Sequence, residues 1–185
     1  MKVIVEEYNP EWALQFQQIK TELQDVLGGV KYIGIEHVGS TAVPGLAAKP
    51  VIDLSIISGR ADVEAAIHAL TSRGGYIYKG EMGIPDRHAL RKPGASPTRH
   101  LYISVDGCQS IRNQLGVRDI CRKDSTVRDA YSRKKVELSQ RDWRDVDQYC
   151  EAKNDILAWV LEKAGMSSEE REQVRQLNTT ATATS

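Results

Sequence analysis

Residues 36–58 read EHVGSTAVPGLAAKPVIDLSIIS, and the organisation of the whole chain follows from this stretch. The β-branched residues leading to Gly39 predict a strand over 31–38, and 51–57 predict a second one. Between them, GSTAVPGLAAKP is punctuated by glycine and proline, which suits a long connection. The second strand is short and nearly continuous in apolar content, the pattern of a central strand in a sheet covered on both faces. Side chains alternate along a strand, so Ile52, Leu54 and Ile56 point one way while Asp53 and Ser55 point the other. Burying a carboxylate there without a partner costs several kcal/mol, so the face carrying Asp53 is paired, wet or metal-facing. Gly39-Ser40 at the end of the first strand offers backbone N–H groups and a hydroxyl to a phosphate, since glycine lets a ligand approach the main chain. Lys49, four residues before Asp53, reaches the same anion. The same residues also fit a purely structural turn in which Asp53 is salt-bridged to Lys49 or to an arginine.

Working outward, Asn9 is a good N-cap and Pro10 suits the first turn of a helix over 10–27, whose apolar positions are Trp12, Phe16, Ile19, Leu23 and Val26/Leu27. Gly28-Gly29 stops it. On the other side, Val63, Ile67 and Leu70 predict a helix over 61–73, ended by Gly74-Gly75. Short strands follow at 76–79, 88–92 and 99–105, with PGASP as the turn between the last two. Beyond Gly107 the pattern is helical over 109–121, 124–140 and 146–164, the last carrying Tyr149, Ala152, Ile156, Val160 and Lys163 as one stripe. Ser167 with Glu170 makes a capping-box signal for one more short helix, and NTTATATS reads as a polar tail, disordered beyond about Thr179. This order predicts one α+β (mixed α/β) domain over 1–166 with a mixed, mostly antiparallel sheet and helices packed on it, then a short helix and tail over 167–185.

Composition agrees with a single globular domain. The chain has 185 residues, 25 Lys+Arg against 25 Asp+Glu, and 41% hydrophobic residues. No apolar stretch approaches the ~20 residues that span a bilayer, and MKVIVEEYNPEW lacks the basic start and apolar core of a signal peptide. A cytoplasmic protein without membrane contact is expected. Cys108, Cys121 and Cys150 form no CxxC pair, so neither a disulfide framework nor a zinc knuckle is indicated. The zero net charge conceals an asymmetry: 13 Lys+Arg face 6 Asp+Glu between Lys79 and Lys135, against 12 and 19 elsewhere. A local anion site is compatible with this split, as is a solvated basic face. A nucleic-acid binder is not favoured, because such domains are commonly basic throughout and only 6% of residues are aromatic.

HVGSTAVPGLAAKPVIDLSI resembles the signature of the GrpB family, in the DNA polymerase beta-like nucleotidyltransferase superfamily. The superfamily pattern is a hydrophobic residue, glycine, a glycine or serine, a spacer, then aspartate, an apolar residue and a second acid; Val38, Gly39, Ser40 and Asp53 match it. RHALRKPGASPTRHLYISV is similar to the family's basic strand, turn and His-x-His strand, and LGVRDICRKD to its Phe-Arg-Asp helix start. Tyr131/Lys135 and Tyr149/Lys153 echo its two Tyr-x-x-x-Lys motifs. The resemblance implies a nucleotidyltransferase-like fold and a cleft for a nucleotide or another phosphorylated small molecule. Fusion of GrpB-like domains to dephospho-CoA kinase further implies a link to coenzyme A metabolism.

The departures shape the expected site. Ser55 stands where the superfamily has its second carboxylate, and a two-metal phosphoryl-transfer site needs several. Alternation over 99–105 sets His100, Tyr102 and Ser104 opposite Leu101, Ile103 and Val105; His100 matches the first family histidine, while the second is Tyr102. Asp53 and His100 are thus the candidate catalytic residues and the candidate ligands of a divalent Mg or Mn ion. Gly39, Ser40, Thr41, Lys49, Arg91, Lys135 and Lys153 are the candidate phosphate or nucleotide contacts, Arg91 within a cluster with Arg87, Lys92 and Arg99. Each Tyr-Lys pair lies one helical turn apart, which sets a ring beside an ammonium. Two functions follow: a metal-dependent nucleotidyltransferase, or a non-catalytic ligand-binding or accessory module that lost the second carboxylate. Both require Asp53, Ser40 and His100 to converge on one cleft.

Overall fold

A computed structural model describes the backbone of residues 1–182, with side chains throughout except at 146, 147 and 177–182. Helix α1 (Glu11–Val26) opens under the Asn9 side chain, which accepts the Glu11 N–H at 3.0 Å. Five strands follow in the chain: β1 (Gly34–Val38), β2 (Ile52–Ser58), β3 (Ile77–Tyr78), β4 (Arg87–Arg91) and β5 (Arg99–Val105). They form one sheet in the order β1-β2-β5-β4-β3. Only the central β2–β5 pair is parallel, so the sheet is mixed and mostly antiparallel, as expected. A parallel pair needs a crossover, and helix α2 (Val63–Ser72) supplies its helical part.

The alternation within β2 and β5 divides the sheet into two unlike faces. One carries Ile52, Leu54, Ile56, Leu101 and Ile103, closed by Trp12, Phe16, Ile19 and Leu23 of α1 and by Val63, Ala66 and Leu70 of α2. The other carries Asp53, Ser55, His100, Tyr102 and Ser104, in register as Asp53↔His100 and Ser55↔Tyr102. Over this second face stand helices α3 (Gln109–Lys123), α4 (Ser125–Ser139), α5 (Val146–Glu151) and α6 (Asn154–Lys163). They keep a core of their own, with Cys121, Val127, Tyr131 and Val160 around Val43 and Leu46 of the long connection. Asp124 starts α4 by accepting the Thr126 and Val127 N–H groups at 2.8 and 3.3 Å.

Four expectations are corrected. The helix expected over 146–164 is two, α5 and α6, because its apolar stripe serves two cores: Tyr149 packs with Val3, Leu138 and Trp143, whereas Val160 packs with Tyr131 and Leu46. The first strand begins at Gly34 rather than at 31. Arg99 and Lys92 do not join Arg91, since alternation turns Arg99 to the closed face, where it meets Glu22 at 2.9 Å, and Lys92 lies over the Tyr76 ring. Finally, helix α7 runs Ser168–Thr182, past Thr179 where a disordered tail was expected. A helix already nucleated by the Ser167–Glu170 box extends at low cost. Residues 183–185 lie outside the described residues. Among the described residues, no helix is long and apolar enough to cross a membrane, and the three cysteines are free.

Candidate functional site

The site begins at the turn after β1. Gly39 has φ 71° and ψ −172°, and a Cβ on it would collide with Asp53 Oδ2 and stand 3.0 Å from the Asp53 Cβ. Glycine is thus required twice, for its dihedrals and for the approach of the carboxylate to the main chain. Ser40–Ala42 then make a single 3-10 turn. Three side chains hold that turn. Arg122 of α3 donates from Nε and Nη2 to the Ala42 carbonyl at 3.0 and 2.7 Å. The Thr41 hydroxyl donates to the Val51 carbonyl and stands 3.1 Å from His37 Nε2, so that nitrogen carries the proton.

His37 is a structural residue. Its ring stacks on Phe16 with centroids 4.7 Å apart, and burial pushes its pKa down to about 4, against the weaker opposing pull of Asp53. Glu36, on the opposite face of β1, accepts from Arg118 of α3 at 2.6 Å, so this carboxylate ties sheet to helix.

Asp53 and His100 meet across the parallel β2–β5 pair, with His100 Nδ1 3.1 Å from Asp53 Oδ1. Around them a cleft of about 180 Å³ is lined by Ser40, Thr41, Lys49, Val51, Asp53, His100, Lys135, Tyr149 and Lys153. Eight of the nine residues singled out from the sequence as contacts or catalytic groups therefore border this cleft or, in the case of Gly39, form its turn. Arg91 is the exception. It lies over the Tyr102 ring at 5.4 Å, with Arg87 at 4.9 Å from the same ring, and donates to the Leu90 carbonyl.

Lys135 is the most unusual group here. Its side chain is buried, its Nζ donates to the Ala47 carbonyl and stands 5.1 Å from the Tyr131 ring centroid. Burial, helped by the charge of Lys153, pushes its pKa down to about 7, with Asp53 pulling the other way. Lys153 lies 4.5 Å over the Tyr149 ring, and burial raises that phenol to about 12. Both Tyr-x-x-x-Lys pairs are thus cation–π pairs aimed at one cleft, although the break between α5 and α6 falls within the second. Missed from the sequence was Tyr149 as a cleft-lining group; its i, i+4 pairing with Lys153 was the signal that could have found it.

The donor set for a metal is small. Asp53 and His100 are the two candidate ligands, and no cluster of three His, Cys, Asp or Glu that could hold a metal ion exists among the described residues. Ser55 is buried and bonded to Ser104 at 2.8 Å, closing the position where a second carboxylate would project. These residues do not fit a two-ion phosphoryl-transfer centre.

A mixed five-stranded sheet with a Gly-Ser turn folded onto a strand aspartate, and a lysine-rich cleft beside it, defines the class of protein. The chain belongs to the GrpB family: the model of "GrpB protein" matches residues 2–163. It is 35% identical over 161 residues to UPF0157 protein BH1888 of Halalkalibacterium halodurans, covering 85% of this chain and 80% of that protein. A crystal structure of conserved protein GrpB from Enterococcus faecalis superposes with a TM-score of 0.76 at 33% identity, covering 87% of this chain and 96% of that one. A dephospho-CoA kinase of Mycolicibacterium paratuberculosis is 29% identical over 172 residues, 78% of this chain but 42% of the kinase.

Proposed function

We propose that this protein binds a phosphorylated small molecule, a nucleotide or a coenzyme A precursor being the first to test, in the cleft between the Gly39-Ser40 turn and α4–α5. The observation that carries the reading is the charge balance: Lys49, Lys135 and Lys153 converge on a cleft whose one lining carboxylate, Asp53, already has His100 against it. Lys135 is buried without an ion-pair partner among the described residues, which favours an anionic ligand, and the exposed Lys49 and half-buried Lys153 add charge beside it. The similarity to a dephospho-CoA kinase brings coenzyme A precursors onto the ligand panel.

Between the two activities expected from the family resemblance, the Ser55–Ser104 bond favours binding without nucleotidyl transfer. Transfer through Mg or Mn would need acids that this cleft does not gather.

Calorimetry with ATP, dephospho-CoA and inorganic phosphate, with and without Mg, tests the reading. An anion beside Lys135 raises the pKa of that lysine from about 7, so binding at pH 8 should take up a proton, seen as a dependence of the heat on buffer ionisation enthalpy. The ligand should also stabilise the fold, by ~2.7 kcal/mol at a hundredfold excess over its dissociation constant. Binding that survives Lys135→Gln and Lys153→Gln together would place the ligand elsewhere. Release of pyrophosphate from ATP in the presence of Mg would restore the transferase reading.

A further inference from the structure

On the other side of the Ser40 turn lies a second, larger cavity of about 220 Å³, walled by Ser40, Arg87, Asn113, Gln114 and the apolar Val43, Leu46, Val117 and Leu161. Helix α7 bounds it through Val174 and is held down by Arg112–Glu170 and Arg171–Glu162 ion pairs at 2.9 and 2.6 Å. Its polar atoms are unsatisfied in an unusual concentration. Arg87 Nε, Asn113 Oδ1 and Gln114 Oε1 are buried without a hydrogen-bond partner, three of the five such atoms among the described residues. Buried polar groups are ordinarily paired, so three orphans around one cavity call for an explanation.

Arg87 is the sharpest of them. No carboxylate among the described residues pairs with it; its guanidinium lies over the Tyr102 ring, and its charged neighbour is another cation, Arg91. Burial lowers its pKa, the sign of a cation stripped of water without an anion in exchange. An arginine in that state is completed by an oxyanion, which its planar fork holds bidentately. Asn113 and Gln114, adjacent on α3, each carry an acceptor and a two-proton donor, so together they match an amide group, and the aliphatic wall matches a short hydrocarbon body.

We propose that this cavity is a second binding site, which takes a small oxyanion-headed molecule with an aliphatic body and an amide: the oxyanion on Arg87, the amide on Asn113 and Gln114. It is a separate site from the lysine cleft and does not rest on the reading given for that cleft.

The test is an NMR titration of the full chain with three probes: N-acetyl-leucine, the neutral N-acetyl-leucinamide, and isopentyl phosphate. N-acetyl-leucine should bind saturably, with shifts centred on Val43, Val117 and Leu161, and the neutral amide should bind at least about tenfold more weakly, since it lacks the charge-assisted bond. Stronger binding of isopentyl phosphate identifies the natural head group as a phosphate, and stronger binding of N-acetyl-leucine identifies it as a carboxylate. Arg87→Gln should weaken either acid by about the same factor, and Val117→Phe, which fills the apolar wall, should abolish binding without touching any charge. Equal affinity for acid and amide overturns the proposal, as does the absence of saturable binding by either acid. If the shifts instead centre on Lys135 and Lys153, the probes occupy the lysine cleft and this cavity is not a site.

Discussion

On the closed face of the sheet the buried Arg99 guanidinium meets Glu22 at 2.9 Å, whereas on the cleft side Arg87 and Lys135 are held away from water with no carboxylate partner among the described residues. The two faces share strands, so the contrast comes from what packs over them. Helix α1 brings an acid to the cation beneath it. Helices α3 and α4 bring Asn113, Gln114 and more lysine. Burying a cation costs free energy that a partner offsets, so the two unpaired cations are where the ligands proposed above would act. The closed face should answer to packing alone and the cleft side to charge and ligand.

The largest effect belongs to the closed face. Leu101 is fully buried between α1, α2 and the sheet, and Leu101→Ala should cost about 2–5 kcal/mol in urea unfolding through lost contacts and a residual cavity. Phosphate-ligand affinity of the folded fraction should be unchanged. A loss of affinity together with stability would mean that the two faces are not separable.

Removing charge from the cleft should do the reverse. Lys135 has a folded pKa near 7 against an ordinary 10.5, so the unfolded chain binds the additional proton between those values, and stability should rise with pH from about 7 to about 10. Lys135→Met should flatten that rise and leave the free protein at pH 7 more stable by about 1–3 kcal/mol, while ending ligand-induced stabilisation. Thermal melts across this window decide it. A strongly destabilised Lys135→Met at pH 7 would show that the bond to the Ala47 carbonyl outweighs the desolvated charge, and that Lys135 is structural.

His37 carries the acid side of the comparison. Its folded pKa of about 4 lies below the ordinary 6.5, so its contribution is complete above pH 6.5 and is lost as pH falls toward 4, where the buried ring must take a proton. A loss of about 2 kcal/mol over that interval is expected, absent in His37→Gln. Because His37 holds Thr41, ligand affinity of the folded protein should fall only as pH approaches 4, where the folded ring itself takes the proton. Retained affinity at pH 4 would uncouple the turn from its histidine.

The face assignment of β2 and β5 was legible because period-two alternation is fixed by the backbone: Ile52, Leu54 and Ile56 had to oppose Asp53, and Leu101 and Ile103 had to oppose His100. Register was not legible, and it is register that sets Asp53 beside His100 across a parallel pair. The two Tyr-Lys pairs were visible as spacing, yet their convergence depends on how α4 and α5 dock, which no local pattern encodes. Arg91 was misplaced for a related reason. Its face was read correctly, but the Tyr102 ring intervenes between that end of β4 and the cleft. The second cavity was invisible because Asn113 and Gln114 look like ordinary surface residues of α3 until α6 and α7 close over them.

The smallest structural change tests the closest contact of the site. Gly39 combines a φ of 71° with the Asp53 carboxylate lying against its main chain, so Gly39→Ala adds a methyl group where Oδ2 stands. Strain at such a φ costs of order 1 kcal/mol, and the methyl group displaces the carboxylate besides, for a total of about 1–2 kcal/mol in the free protein. The closed face should not sense it. The cleft should: moving Asp53 breaks its approach to His100, so phosphate-ligand affinity should fall more than stability does. The comparison between faces sharpens if calorimetry and urea melts of Gly39→Ala diverge in this way. It fails if the two losses are equal, because the turn would then serve only to join β1 to its connection.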